Sequence, residues 1–159
     1  MSGGHTQLIE VRSPSAMTVL GETIDDAVGE AFDKAAKILG LPYPGGPHID
    51  QLSATGDSTF MSFNESNLPD YNFSFSGMKT SFLYSLQKEM KANPSFIKDH
   101  LNDICASYQA ALIKVLMKKV KAAQKSTGIK NVAIAGGVSA NSGLRAALNQ
   151  WGAQSKISI

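Results

Sequence analysis

The residues best suited to chemistry in this sequence lie in and beside a glycine turn at residues 135–141, which read AGGVSAN. Small and β-branched residues from Val132 lead into the turn and predict a buried strand, and apolar residues at helical spacing follow Asn141. Neither Gly136 nor Gly137 has a Cβ, so the backbone can turn tightly and approach a ligand closely. A helix N-terminus beside such a turn favours anions and nucleotides. The alternative is a packing turn of an ordinary α/β fold.

A second glycine pair, near the N-terminus, could hold a phosphate. Gly3 and Gly4 follow Ser2, and successive backbone N–H groups in such a loop can point at one phosphate group. An ordinary flexible leader has the same composition. The three histidines of the chain are far apart in sequence and show no metal-ligand spacing. The sequence therefore predicts a phosphate loop or a leader here, and no metal site.

Two aspartates stand out because of where they fall in the pattern. Asp33 lies in the middle of a predicted helix, beside its apolar stripe. It can pair with Lys34 or Lys37 on the surface, or project into a cleft and accept a hydrogen bond from a ligand hydroxyl or amine. Asp50 follows a glycine pair that includes Gly46 and that leaves backbone amides open between prolines. For both aspartates the residues alone leave a ligand site and a surface role open.

The short motifs of several large enzyme classes are missing from the sequence. It contains no GxxxxGKS or GxxxxGKT, no HExxH, no CxxC and no GxSxG. Its single cysteine, Cys105, falls in a predicted helix and is expected in the core rather than as a nucleophile. One cysteine cannot form an internal disulfide, so nothing requires an oxidising compartment.

The elements that must position these residues begin with a predicted β-hairpin. Alternating apolar residues at 7–11 and 17–20 predict its two strands. An amphipathic helix is predicted at 22–39, with Thr23 as its N-cap. The sequence LPYPGGP at 41–47 then predicts a stiff, open turn.

The rest of the chain is predicted to be mainly helical, with one irregular stretch before the helices. Periodicity and breaker residues set the boundaries. The predicted elements are an irregular stretch at 51–76 that ends in a short strand, helices at 78–92 and 95–125, the strand before the glycine turn, a helix from Asn141 that Gly152 stops, and a further strand at 156–159.

Length and composition predict one globular domain, since 159 residues that are 43% hydrophobic can bury a core. A net charge of +2 is too small for a nucleic-acid coat, and the lysines at 114–130 are expected on a solvated helix face. No apolar run approaches the roughly 20 residues of a membrane span, and no signal pattern is seen. We therefore expect a cytoplasmic protein without membrane contact. The unpaired hairpin and the uncapped last strand predict a fragment of a longer protein.

Four stretches together carry a family resemblance. They are SGGHTQL at 2–8, GETIDDAVGEAFDKAAKILGLPYPGGP at 21–47, FSFSGMKTS at 73–81 and AGGVSAN at 135–141. Their types and order resemble the TsaD family, the tRNA adenosine threonylcarbamoyltransferases that were long described as O-sialoglycoprotein endopeptidases. The resemblance extends over essentially the whole chain in one colinear order.

The resemblance implies an α/β fold of the actin-like ATPase type, shared with sugar kinases, in which two related halves enclose a nucleotide cleft. On this basis residues 1–159 are expected to be a partial actin-like domain. It would be mainly the second half, helix-rich with a few strands, and with a loop-rich insertion at about 44–80.

The resemblance also implies binding residues, although it assigns no nucleophile and no general base. One group forms the substrate loop, and a second group holds the nucleotide portion of the substrate, its aspartates bonding to ribose hydroxyls. The matching positions are Ser2, Gly3 and Gly4 in the loop, and Asp33, Gly46, Asp50 and the turn asparagine Asn141 in the nucleotide group.

Members of the family transfer a threonylcarbamoyl group from threonylcarbamoyl-adenylate to the exocyclic amine of the adenosine beside the tRNA anticodon. The mixed anhydride is already activated, so an acyltransferase of this kind has mainly to position the reactants and stabilise developing charge. The resemblance thus implies tRNA as a partner and the adenylate, ATP or ADP in the cleft. Lys79 or the lysines from Lys114 onward are candidate phosphate contacts. A smaller actin-like paralogue and an ATPase accessory protein are implied as further partners.

The family's metal, iron or zinc, is held by two histidines upstream of the SGGHT loop and by an aspartate downstream of the glycine turn. Neither region is present in this sequence. We therefore expect no metal ligands in this chain and no catalysis by it alone. Two alternatives stay open: a nucleotide-binding or scaffold module of a multi-protein complex, and the metal-dependent glycoprotease of the older family description.

Overall fold

A computed structural model describes residues 4–159 and shows an α/β arrangement in which helices predominate over one small sheet. The helix-rich α/β class expected from the sequence is thereby confirmed. The elements of the described residues are β1 (Gln7–Ser13), β2 (Ala16–Glu22), α1 (Val28–Ile38), α2 (Gly45–Ser53), α3 (Ser76–Ala92), α4 (Phe96–Asp99), α5 (Leu101–Thr127) and α6 (Ser142–Ser155), with a 3₁₀ turn at Gly137–Ala140 directly before α6.

The strands β1 and β2 form the predicted antiparallel hairpin. Its register places Ile9 opposite Val19 and Val11 opposite Met17. These four side chains lie on one face of the hairpin because their positions alternate along each strand. All four are about half exposed, from 47% for Ile9 to 60% for Met17. The hairpin therefore has an apolar face that no described residue covers fully.

The core is centred on α2, which packs against α1 on one side and α5 on the other. Val28, Phe32 and Ala35 are buried on α1, as the helical spacing of its apolar residues predicts. The helix α2 contacts both α1 and α5, and its Ile49 is fully buried. From α5, Tyr108 is equally buried. The polar residues of α2 are therefore held at a junction of three helices.

The contact between α1 and α2 depends on a glycine at position 45. A Cβ added to Gly45 would lie 2.2 Å from the Cβ of Ala36, far inside van der Waals contact. The N–H of Gly45 donates to Asp33 Oδ1 at 2.8 Å. The prediction of an open turn at 41–47 was therefore wrong in its second half, because α2 already begins at Gly45. The interval 44–80, which was expected to be loop-rich, contains α2 and is irregular only over 54–75.

The predicted start of α1 was also wrong. The helix begins at Val28 rather than at residue 22, and its first N–H donates to Thr6 Oγ1 at 2.9 Å. The expected N-cap, Thr23, instead forms a parallel bridge with Phe73. Ile24, an apolar residue inside the predicted helix, is 64% exposed. Thr6, which precedes the hairpin, therefore caps α1 in place of Thr23, the local cap that the pattern predicted.

Two helix boundaries further along differ from the prediction for reasons of packing. The helix predicted at 95–125 is divided at His100, whose ring stacks on that of Phe60 at 4.8 Å. The last helix, α6, runs past Gly152 to Ser155, and its C-cap Lys156 adopts the left-handed conformation. Gly152 serves close packing, because a Cβ there would lie 2.7 Å from the carbonyl oxygen of Ile157.

The segment before the glycine turn is extended but is not the buried strand that was predicted. Its pairing within residues 4–159 is a single parallel bridge, Asn131 to Ser158. Ala133 and Ala135 are exposed, and Val132 is only half-buried. A run of small apolar residues is typical of a strand that pairs with a strand on each side. Within the described residues this segment pairs only with the short stretch around Ser158.

Lysines of α5 hold the irregular loop at 64–70. Lys119 is only 7% exposed and donates to the carbonyl oxygens of Leu68 and Asp70, both at 2.7 Å. Lys118 donates to Asn67, and Lys114 pairs with Glu65 at 2.7 Å. These three lysines were predicted on a solvated face, which is wrong for Lys119. Neither α5 nor any other helix of the described residues is long and apolar enough to cross a membrane.

Asp25 ties the N-terminus of α3 to the segment before α1. Its carboxylate accepts hydrogen bonds from the N–H of Phe75 at 2.8 Å and from the hydroxyls of Ser74 and Ser76. Partial burial alone would raise the pKa of the Asp25 carboxyl, but these hydrogen bonds outweigh burial and lower the pKa below its ordinary 3.8.

We predict that the Asp25 contact makes folding stability sensitive to acid. The folded-state pKa of Asp25 is depressed, so its contribution is full above the unfolded pKa and is lost as the pH falls through the folded pKa. Asp25→Asn removes this contribution, and its free energy of unfolding should fall less steeply between about pH 5 and pH 3 than that of the native chain. Urea titrations at several pH values measure the difference. Parallel pH curves for the two proteins would show that the contact carries no such linkage.

Candidate functional site

A cavity of about 440 Å³ opens between α1, α2 and the 3₁₀ turn before α6. Much of its wall is apolar, with Phe32 from α1, Tyr43 and Pro44 from the segment before α2, and Val138 from the turn. Tyr43 is 85% exposed. The size and lining suit a small organic molecule that has a flat apolar part and a few polar groups.

The polar groups of the cavity come from three separate elements. Asp33 projects from α1, Asp50 from α2, and Asn141 ends the 3₁₀ turn. The backbone of Gly46 and Gly137 forms further parts of the wall. The arrangement therefore places two carboxylates and two stretches of open backbone around an otherwise apolar space.

Two of these polar residues hold the N-terminus of α6. Asn141 is the N-cap, and its Oδ1 accepts from the N–H of Leu144 at 2.8 Å. Asp50 Oδ2 accepts from the N–H of Ser142 at 2.8 Å, and its Oδ1 accepts from the Ser142 hydroxyl at 2.8 Å. A carboxylate at a helix N-terminus is also favoured by the helix dipole. The side of the cavity next to α6 is thus fixed to α2.

A buried glutamine of α5 connects Asp50 and Asn141 by hydrogen bonds. Gln109 is 6% exposed. Its Nε2 donates to Asp50 Oδ1 at 3.0 Å, and its Oε1 accepts from Asn141 Nδ2 at 2.7 Å. The α6 N-terminus lies close to this side chain, since a Cβ added to Gly143 would lie 2.8 Å from Gln109 Nε2.

Asp33 has more capacity left for a ligand than Asp50 has. Its Oδ1 accepts from Gly45, and within the described part of the chain Oδ2 accepts no hydrogen bond from the protein. Both oxygens of Asp50, by contrast, already accept from α6 or from Gln109. A carboxylate offers about four lone-pair positions. Asp33 is therefore the better acceptor for hydroxyl groups of a bound molecule.

The glycine turn presents its backbone to the cavity. Gly136 has φ 89°, a conformation that side-chain-bearing residues rarely adopt. A Cβ on Gly137 would meet no heavy atom within 4 Å, so the turn leaves open space there. The predicted tight turn and the helix start at Asn141 are confirmed.

The structure brings together four of the seven residues that the sequence singled out. Asp33, Gly46, Asp50 and Asn141 line the same cavity, although they lie far apart in sequence. Gly4 is exposed and is not among the lining residues. The other two, at positions 2 and 3, lie outside the described residues.

Sequence reasoning missed Gln109 and the rim residue Tyr43. A signal for Gln109 was available, because it falls on the buried side of α5 between Cys105 and Leu112. A buried polar side chain in an apolar seam needs partners. Tyr43 was read only as part of a turn, and its place at the cavity depends on how α2 packs on α1.

Two buried titratable groups among residues 4–159, Cys105 and Tyr108, have raised pKa values. Burial raises the pKa of the Cys105 thiol to about 12, so the thiolate needed for nucleophilic attack is disfavoured. Burial, reinforced by the charge of Asp26, also raises the pKa of Tyr108. Among residues 4–159, no three His, Cys, Asp or Glu side chains gather to hold a metal ion.

The fold and the cavity define an α/β protein with a cavity beside a helix N-terminus. The family model described as "TsaD: tRNA N6-adenosine threonylcarbamoyltransferase" matches residues 1–159, and the chain belongs to this family.

Curated relatives agree with the family match. A tRNA N6-adenosine threonylcarbamoyltransferase of Cytophaga hutchinsonii is 59% identical over 150 residues, which cover 94% of this chain and 44% of the relative. One of Christiangramia forsetii is 56% identical, covering 96% of this chain and 46% of the relative. One of Salinibacter ruber is 47% identical and covers the whole of this chain and 48% of the relative. The chain thus spans about half the length of the curated relatives it matches.

We predict that Asp50→Asn destabilises the fold. The amide keeps one acceptor oxygen but sets an NH₂ group against the donors of Ser142 or Gln109, which leaves a donor unsatisfied. The expected loss in free energy of unfolding is about 1–3 kcal/mol, measured by urea titration. Asp99→Asn is the matched control, because Asp99 is exposed and accepts one bond from Asn93. Equal stabilities of the two variants would contradict a structural role for Asp50.

Proposed function

We propose that this chain forms the nucleotide-binding part of a tRNA N6-adenosine threonylcarbamoyltransferase, with the adenylate portion of threonylcarbamoyl-adenylate in the cavity beside α6. One observation carries the proposal. The four positions matched to the nucleotide group, Asp33, Gly46, Asp50 and Asn141, converge on one cavity of suitable size. The names of the relatives and the family match support the reaction class.

The chemistry of the cavity supports an adenosine ligand. Phe32, Tyr43 and Val138 offer apolar surface for the purine, and the exposed Tyr43 ring can stack on it. Asp33 Oδ2 is the group we assign to a ribose hydroxyl. Asp50 instead contributes by holding the α6 N-terminus in place. This division changes the expectation that both aspartates bond to the ribose.

The contribution of this chain to the reaction is binding and orientation. The adenylate is an activated mixed anhydride, so holding it next to the acceptor amine supplies much of the catalysis. An iron or zinc ion, which the family resemblance implies, would polarise oxygens of the substrate when bound. The described residues do not provide a ligand set for that ion. We accordingly propose that the chain does not modify tRNA by itself.

The wider architecture is proposed from the same family membership. An actin-like fold would place this chain opposite a second half that lies outside it, with the adenylate between them. The smaller actin-like paralogue and the ATPase accessory protein remain proposed partners. A tRNA substrate implies a cytoplasmic location. For tRNA phosphates, Lys79 and the exposed Lys121 and Lys125 are better candidates than Lys119, which is committed to the 64–70 loop.

We predict that the chain binds adenosine 5′-monophosphate and that Asp33→Asn weakens this binding about tenfold or more. The amide can still accept from Gly45 but cannot offer a carboxylate to the ribose. Calorimetric titration measures both affinities, with Asp99→Asn as the control. The nucleotide lacking both ribose hydroxyls should bind the native chain and Asp33→Asn equally. An equal loss for both ligands would show that Asp33 does not contact the ribose.

A chimera tests the enzymatic part of the proposal. Replacing the matching segment of the Cytophaga hutchinsonii relative with this chain restores a full-length protein. We expect the chimera to modify tRNA, the isolated chain to bind nucleotide without modifying tRNA, and Asp33→Asn in the chimera to lower activity. Mass spectrometry of the tRNA nucleosides gives the readout. A correctly folded but inactive chimera would contradict the proposed function, and activity of the isolated chain would contradict its dependence on the missing half.

A further inference from the structure

We infer that Gln109, which does not line the cavity, is a positioning residue for nucleotide binding. The inference rests on the proposed function. Gln109 is the one side chain of α5 that bonds to two cavity residues on different elements, Asp50 of α2 and Asn141 of the turn. It therefore couples both walls of the cavity to the longest helix of the described chain.

The hydrogen-bond directions around Gln109 are fixed by chemistry. Asp50 as a carboxylate only accepts, so the Gln109 amide must turn its NH₂ toward it. Gln109 Oε1 then faces Asn141 and requires the NH₂ of that residue. This leaves Asn141 Oδ1 toward Leu144, where it caps α6. Each amide in the series has a single orientation that satisfies its neighbours.

The consequence is that the cap of α6 depends on a residue of α5. Without the acceptor at Gln109, the amide of Asn141 loses the partner that selects its orientation, and its NH₂ could face the Leu144 N–H instead. Without the donor, one oxygen of Asp50 loses a hydrogen bond in a partly buried setting. Either change would loosen the turn at Gly137–Ala140, which forms one wall of the cavity.

Three variants separate these effects. Gln109→Met keeps the length of the side chain and removes both hydrogen bonds. Gln109→Glu keeps the acceptor for Asn141 but replaces the donor by a carboxylate that faces Asp50. Gln124→Met is the matched control, because Gln124 lies on the same helix and donates one bond to the carbonyl of Ile129, outside the network.

The experiment combines amide hydrogen exchange with calorimetric titration of adenosine 5′-monophosphate, at a temperature where all variants are folded. Gln109→Met should speed exchange of the Ser142 and Leu144 N–H groups and weaken nucleotide binding about tenfold to a hundredfold. Gln124→Met should change neither. Gln109→Glu should bind the nucleotide more weakly than the native chain at pH 8. At pH 5.5 its affinity should approach that of the native chain, because a protonated carboxyl can donate to Asp50.

The outcomes distinguish this inference from the proposed function. Unchanged exchange at Leu144 in Gln109→Met, or equal affinities of Gln109→Met and Gln124→Met, overturns the positioning role. If Gln109→Glu loses the same amount of binding at pH 8 and at pH 5.5, the role of Gln109 as a hydrogen-bond donor to Asp50 is overturned. Failure of the native chain to bind the nucleotide overturns the proposed function of this chain, and the exchange at Leu144 then still decides whether Gln109 holds the turn.

Discussion

An α-helix leaves its first N–H groups without partners in the helix, and the way α6 meets this requirement determines the shape of the cavity. Asn141 supplies one acceptor from the preceding turn, and Asp50 supplies another from α2. Gln109 of α5 bonds to both. The satisfied helix end thus fixes three elements relative to one another, and the space they leave lies between the turn, α2 and α1.

The same physical device recurs at other helix ends of the described chain. Thr6 accepts the first N–H of α1, Asp33 that of α2, and Asp25 accepts at the start of α3. In each case the acceptor comes from a distant part of the sequence, and the N-cap residue itself makes no side-chain bond. These contacts connect helices to one another as well as satisfying their ends. Asp33 serves in this network with one oxygen and is left able to serve a ligand with the other.

The distance of these acceptors explains what the sequence could and could not predict. Local patterns predicted the hairpin, most of the length of α3 and α5, and Asn141 as a helix start, because the residues responsible are neighbours in sequence. The local pattern predicted Thr23 as the cap of α1, but the first N–H of α1 donates to Thr6, which lies before the hairpin. The strand at 132–135 was predicted from its composition, whereas strand pairing depends on what lies beside it.

For the candidate site, too, the sequence predicted some features and not others. Its residue types were recognisable from motifs, and four of them do meet in one cavity. Their separate roles were not predictable, because the capacity of a carboxylate depends on which donors already surround it. Asp50 and Asp33 look alike in sequence, yet the α6 N-terminus occupies Asp50, whereas one oxygen of Asp33 accepts no hydrogen bond within the described residues. The place of Gln109 in the buried seam of α5 was readable from the sequence, but its two partners were not.

The central claim is that the cavity beside α6 is an adenosine site, and nuclear magnetic resonance of the ¹⁵N-labelled chain tests it most directly. During titration with adenosine 5′-monophosphate, an adenosine site in this cavity predicts saturable shifts of the backbone amides of Gly46 and Gly137, which both line the cavity. Saturable shifts confined to residues away from the cavity, or no shifts at all, would contradict it.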